Sequence, residues 1–377
     1  MLDRVSTSIF STHNRYRKGV LFHQALTGFR SFFFDKISYV KTCIFIVTSG
    51  SREIGTGHLS RQFELACLAM SRGFEVFLFG HYSPNWLARF NAAGVRCIPG
   101  PLFPESWQTL KKTRELELNP ETTWIIRDNY GLRPNFSQEV SQRFGHFVHF
   151  DDLPTIGATY EILVNPGISR DSYDSDADHI LNSGTALLGA SSSIIRMELR
   201  KLRYSASPGK LNRLSRGLVS FGFSDPTDAT TALWDCIPRS PDLDWKFLLG
   251  PDYSGGLKTE RVDGGKSTFM LKGLLGKEYF DFRLGIGSGG VSAFERAFCG
   301  VPSLNFAILA NQKGVSFILE SEGAALALEH ISAEGVQKAI ERLSERDAWN
   351  TFREAGMELV DGRGGDRLLD MITERSL

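Results

Sequence analysis

Four absences narrow what this chain can be. Its five cysteines (Cys43, Cys67, Cys97, Cys236 and Cys299) stand far apart and form no C-x-x-C pair. That excludes a disulfide-stapled scaffold or a cysteine zinc framework and fits a reducing compartment. Net charge is absent, with 43 basic residues against 43 acidic ones, so no field of one sign recruits nucleic acid or an anionic membrane. No apolar run reaches the roughly 18–20 residues that span a bilayer, so a soluble cytoplasmic protein without an integral membrane segment is expected. Short-period repeats and low-complexity tracts are missing too, and nothing in the pattern reveals an oligomeric state.

What is present is an alternation of apolar strands and amphipathic helices over 377 residues, enough for two domains with separate cores. Residues 1–41 stand outside it. They mix Arg, His, Ser and Phe without a clean period and are expected to be a poorly ordered extension or the product of an early start; basic residues around Leu21, Phe22, Leu26 and Phe29 also allow a membrane-surface helix. The first domain spans 42–199, with strands expected at Cys43–Thr48, Glu75–Phe79, Thr123–Arg127, His146–Phe150, Ile162–Val164 and Ala186–Leu188. A basic stretch containing Ser-Pro-Gly, 200–216, reads as the linker. The second domain, 217–377, repeats the series at Gly217–Phe221, Trp245–Leu249, Thr268–Leu271, Phe282–Ile286 and Ser303–Phe306. Repeated β-α units in both halves predict an α/β protein of two Rossmann-like domains with a cleft between them, ligands collecting at the carboxyl ends of the strands.

Two glycine-rich turns carry the chemistry. Gly55-Thr56-Gly57-His58-Leu59-Ser60-Arg61 follows the first strand and opens a helix, joining a phosphate-cradle geometry to a candidate catalytic base. Taken without the rest of the chain, it also fits a tight turn with a structural histidine. Arg61, one turn on, is placed to balance a diphosphate or a carboxylate. Gly287-Ser288-Gly289-Gly290-Val291 ends a later strand and opens another helix, whose unpaired N–H groups suit a phosphate; Glu295 lies one turn in, placed to accept from sugar hydroxyls. Ser220-Phe221-Gly222-Phe223-Ser224-Asp225-Pro226 opens the second domain as another wall of a nucleotide site or as a turn with a polar cap.

Other signals are weaker. Asp174-Ser175-Asp176-Ala177-Asp178 lacks the glycine and glutamate of a calcium loop. His146 and His149 with Asp151 and Asp152 sit on a strand that reads as buried. Gly264-Gly265-Lys266-Ser267 ends like a P-loop, but Glu260 stands where its first glycine belongs.

The ordered series of segments resembles the PseG-like family, the UDP-sugar hydrolases of pseudaminic acid biosynthesis, and related spore-coat polysaccharide proteins, all of GT-B fold. The matching text runs over roughly 42–366. It includes Glu53-Ile54-Gly55-Thr56-Gly57-His58 with Arg61, Asp128-Asn129-Tyr130-Gly131-Leu132, Asp151-Asp152-Leu153, Gly287-Ser288-Gly289-Gly290, Glu295-Arg296 and Asn311-Gln312. The resemblance implies that UDP binds mostly to the second domain, with Gly289 and Gly290 offering backbone to the diphosphate and Glu295 taking the ribose. Gly55, Gly57, Arg61, Gly222, Ser224, Val291 and Gln312 then complete the substrate site. His58, Tyr130 and Asn311 map onto the family's catalytic positions. The implied reaction is hydrolysis at the anomeric carbon of a UDP-linked diacetamido-trideoxy sugar, with inversion and with neither metal nor other cofactor; a glycosyltransferase using the same nucleotide site is the alternative. The chain departs from the family where Phe223 replaces a glycine, where Ala190 and Ser192 replace a proline and a tyrosine, and at Ser49-Gly50-Ser51.

Overall fold

The structure, a computed structural model, describes residues 42–51, 54–130, 134–153, 159–174, 184–205, 216–238, 243–259, 261–270 and 275–376. The N-terminal extension, residues 206–215 of the expected linker, and residues 175–178 of the acidic loop lie outside the described residues.

Two seven-stranded sheets organise the body formed by 42–377. The first comprises β1 (Cys43–Thr48), β2 (Glu75–Gly80), β3 (Arg96–Pro99), β4 (Thr123–Asp128), β5 (Phe147–Phe150), β6 (Ile162–Asn165) and β7 (Thr185–Leu188). Its order is β3-β2-β1-β4-β5-β6-β7, and every pairing is parallel. The second comprises β8 (Arg216–Ser220), β9 (Asp244–Leu249), β10 (Val262–Asp263), β11 (Lys266–Met270), β12 (Leu284–Ser288), β13 (Ser303–Phe306) and β14 (Ala325–Leu328). Its order is β10-β11-β9-β8-β12-β13-β14, antiparallel only at β10–β11. Strands buried on both faces need near-continuous apolar runs, and Cys43-Ile44-Phe45-Ile46-Val47 is buried throughout.

These orders fix where a ligand can sit. Each sheet reverses its winding once: between β1 and β4 in the first, between β8 and β12 in the second. The crevice beyond the carboxyl ends of such a strand pair is the usual binding place in open α/β sheets. The turns beginning at Gly55, Asp128, Ser220 and Gly287 each leave one of these four strands.

Several boundaries differ from the sequence reading. The start of the expected linker, Arg200–Ser205, completes the helix Met197–Ser205, and Arg216 already belongs to β8. Gly264-Gly265 forms the two-residue turn of the β10–β11 hairpin, both glycines with positive φ. The short strands β3, β10 and β14 are not among those the sequence pattern predicts: β3 and β10 carry few apolar residues, and the four-residue run Ala325–Leu328 is too short to separate strand from helix.

The domain division also changes at its end. The helix Gly364–Arg375, expected in the second domain, packs Leu368, Leu369 and Ile372 into the core of the first sheet, and Ser376 accepts from Trp124 Nε1 at 2.9 Å. Conversely, Ala190, Ile195 and Leu199 lie in the core of the second half. The two crossing segments touch where a Cβ at Gly364 would come within 2.4 Å of the Ser192 backbone. Ala190 and Ser192, where the family carries bulkier residues, therefore sit at this crossing.

Candidate active site

The cleft between the sheets is built from the residues upward by three turns. The first follows β1. Gly55 takes φ +77°, a conformation that favours glycine, and Ser51 bridges it. The helix Gly57–Ser71 begins without a side-chain cap or an acidic residue in its first turn, leaving its amides directed at the cleft. Across the cleft, the helix Val291–Phe298 begins at Gly290, equally uncapped. A Cβ at Gly57 would lie 3.8 Å from Val291 Cγ2, so the two helix starts face each other at contact distance.

His58 is buried and oriented. Its Nδ1 lies 2.5 Å from Asp128 Oδ1, at the carboxyl end of β4. Asp128 also accepts from Arg61 Nε at 2.6 Å, Arg61 Nη2 at 2.5 Å and Gln62 Nε2 at 2.8 Å. Burial alone would raise this carboxyl, but the charges of Arg61 and His58 outweigh it and hold it well below the usual carboxylate range. An ionised carboxylate only accepts, so Nδ1 is the ring nitrogen that carries a proton toward Asp128, and Nε2 is the ring nitrogen turned away from the pair. Nε2 has no partner among the described residues, and His58 lines the cleft.

Tyr130 packs edge-on against His58 with ring centroids 4.4 Å apart. Its turn is held by Arg127, which donates to the carbonyls of Asn129 at 2.9 Å and Tyr130 at 3.1 Å. Burial and the Asp152 charge push its phenol far above the ordinary range, so the ring is a neutral wall and hydrogen-bond donor.

Of the residues singled out from the sequence, His58, Tyr130, Asn311, Gly55, Gly57, Arg61, Gly222, Ser224, Gly290, Val291, Glu295 and Gln312 all line this one cleft. Gln312 accepts from Ile308 N at 3.0 Å, so its amide nitrogen is the end left near Gly290. Three readings need correction. Gly289 does not line the cleft: a Cβ there would sit 1.9 Å from Ser316 Oγ, so glycine serves packing against the helix Lys313–Ser321. Arg61 is not a free cation for a diphosphate, because Asp152 accepts from its Nη1 and Nη2 at 2.9 and 2.8 Å while Asp128 accepts from Nε and Nη2. Glu295 is not a free acceptor: Arg196 donates to it at 2.5 and 3.2 Å and the Tyr279 hydroxyl at 3.2 Å, all three groups buried.

The sequence reading missed the roles of Asp128, Gln62 and Asp152. Asp128 ends a strand beside the switch point, which is the one signal available before folding. The cap reading of Asp225 holds, since its carboxylate accepts from the amides of Ala229 and Thr230 at 3.0 and 2.8 Å. Phe223, the departure from glycine, packs at a tilt against Trp86 of the first half with centroids 5.7 Å apart and bridges the cleft rim.

No helix among the described residues is long and apolar enough to cross a membrane. No protein-family profile matches the chain. An uncharacterized protein of Methanocaldococcus jannaschii, MJ1062, is 23% identical over 269 residues, covering 69% of this chain. This chain spans about half the length of that relative, 54%. Among solved structures, MurG of Acinetobacter baumannii superposes with a TM-score of 0.58 at 11% identity, over 88% of this chain and 99% of its own. The calicheamicin glycosyltransferase CalG4 gives 0.59 at 11%, over 89% and 98%. HepE of Anabaena, solved in complex with UDP-glucose, gives 0.53 at 10%, over 88% and 100%. The two parallel-sheet α/β domains of this chain thus have the GT-B fold of these glycosyltransferases.

Proposed function

We propose that this protein cleaves a UDP-sugar at the anomeric carbon, with His58 as general base for an attacking water. The observation that carries the reading is the His58–Asp128 pair, with Nε2 the only ring atom left to take a proton at the cleft. A base must be positioned as well as basic, and the buried carboxylate fixes both tautomer and ring plane. Water transferring its proton to Nε2 forms the bond to carbon as the sugar–oxygen bond breaks, and the electron pair leaves on the diphosphate.

The leaving group needs charge stabilisation. Gly290 and Val291 open an uncapped helix, and the amides there, with the Gln312 amide and Asn311, suit a diphosphate whose charge grows during cleavage. Gly222 (φ +91°) and Ser224, after β8, form the wall against which the nucleotide would lie. A Cβ at Gly290 would meet only Gln312 Nε2 at 3.9 Å, which leaves that backbone open to a ligand.

A second reading, transfer of the sugar to an acceptor hydroxyl, is favoured by one observation. Thr56 also borders a separate hollow lined by Ser51, His81, Ser83, Trp86, Asp252 and Tyr253, polar and aromatic groups suited to a saccharide. Incubation with the diacetamido-trideoxy UDP-sugar and no acceptor tests the proposal. UDP release with stoichiometric free sugar is the expected result. Turnover only after a saccharide or lipid acceptor is added would overturn hydrolysis in favour of transfer.

A further inference from the structure

Arg296 stands beneath the Ser288–Gly290 turn and is fully buried. It donates to Ser288 O at 2.9 Å, Asn305 Oδ1 at 2.7 Å and Ser292 Oγ at 3.4 Å, and its Nε has no partner among the described residues. All of these acceptors are neutral. Its neighbour in sequence, Glu295, is already bonded to Arg196. Arg61, which lines the cleft as Arg196 does, has Asp128 and Asp152. Among the described residues, Arg196, Arg296 and Glu295 together therefore leave one positive charge uncompensated under the turn. Glu64, the other buried carboxyl near this group among the described residues, accepts from Met197 N and faces Arg89 as well as Arg196, so counting that further pair leaves the same excess of one positive charge.

A buried cation with only neutral partners is expensive, and burial lowers the Arg296 guanidinium to about 10, opposed by Tyr279 and Glu295. The backbone is shaped to admit it: a Cβ at Gly285 would come within 2.6 Å of Arg296 Cδ, and one at Gly287 would meet Ser220 O at 2.0 Å and Arg296 Nη1 at 3.1 Å. Gly285 thus makes room for the arginine, and Gly287 for the neighbouring strand as well as the arginine. The cleft side of the turn it supports is the start of the helix Val291–Phe298.

We propose that Arg296 is the charge-supplying positioning residue of this turn, a buried guanidinium whose missing counter-ion is the diphosphate of the ligand. The inference rests on the UDP reading above and deepens it: the site selects a nucleoside diphosphate over an uncharged nucleoside through a residue that never touches the ligand.

The test compares UDP and uridine binding by calorimetry for the full chain and three variants. Arg296→Gln keeps hydrogen bonding without charge, and Arg296→Lys keeps charge without the planar fork. Asn305→Asp supplies the guanidinium with its own carboxylate in place. UDP affinity is expected to fall about tenfold or more in Arg296→Gln and in Asn305→Asp, the effect of one charge at roughly 10 Å in an effective dielectric of ~20. Uridine affinity should stay within about twofold, and Arg296→Lys should stay within about threefold of wild type for UDP. A merely structural arginine would weaken UDP and uridine by one factor, or leave both intact in a folded Asn305→Asp; either result overturns the proposal. Inorganic pyrophosphate separates the two readings. If wild type ignores UDP yet pyrophosphate raises its melting temperature and not that of Asn305→Asp, the nucleotide reading fails while the role of Arg296 stands. If pyrophosphate stabilises both equally, the role of Arg296 fails.

Discussion

Replacing Asp128 with Asn isolates what orients the base. The substitution keeps shape and removes the charge that accepts from His58, Arg61 and Gln62. The amide can present its NH₂ to Nδ1, which moves the ring proton to Nε2 and blocks it as a base. Loss of tautomer control in a comparable His–carboxylate pair costs up to about 10⁴ in rate, so a fall of kcat by about 10²–10⁴ is expected, or about 3–5.5 kcal/mol of barrier. Asp128 lies on the first half, away from Gly290 and Gln312, so UDP affinity should change less than about threefold, below the ~1.4 kcal/mol of a tenfold change. Folding stability should also fall, because Arg61 loses one of two carboxylates in a buried network, by about 3 kcal/mol. Steady-state release of UDP, UDP calorimetry and urea unfolding read the three quantities separately. A folded variant with kcat within about fivefold of wild type would refute the assignment of His58 as a base held by Asp128; equal losses in kcat and UDP affinity would point to collapse of the cleft.

Glycine pairs give a contrast within two residues. Gly290→Ala should leave thermal unfolding within about 2 °C and weaken UDP at least tenfold, whereas Gly289→Ala should destabilise the fold by about 1–3 kcal/mol, since its Cβ would collide with Ser316; intact UDP binding by a folded Gly290→Ala would sink the backbone-contact reading. Burial and the charge of Arg127 hold His149 neutral, with its pKa lowered to about 3. The unfolded chain takes up that proton below about 6.5, so stability declines as pH falls from there toward 3, by about 2 kcal/mol at pH 5. His149→Leu should flatten this decline in urea titrations at pH 7 and 5, and an unchanged slope would assign it elsewhere. Glu295→Gln leaves Arg196 buried without its anion and should cost about 3–5 kcal/mol in chemical unfolding. Asp152 and Glu295, the carboxylates that line the cleft among the described residues, and Asp128 buried behind His58 are each bonded to an arginine, so excess EDTA should leave UDP release unchanged; loss restored by a divalent cation would contradict this.

The chain alone decided the class of fold and the neighbourhood of the site. Apolar runs such as Cys43–Val47 and amphipathic helices such as Leu59–Arg72 have periods that point to parallel sheets covered by helices, and glycine turns after strands mark where ligands can approach. Those signals are local, carried by neighbours along the chain. Tertiary structure decided the partners. Which carboxylate meets His58 depends on β4 lying beside β1, 70 residues apart, and Arg196 meets Glu295 across 99. Spacing in sequence encodes neither distance. For the same reason Arg61 and Glu295 looked available, whereas folding supplies each with a counter-ion before any ligand arrives. The return of Gly364–Arg375 to the first half was equally invisible, because its apolar stripe fits any complementary face and only the crossing at Gly364 and Ser192 selects which one.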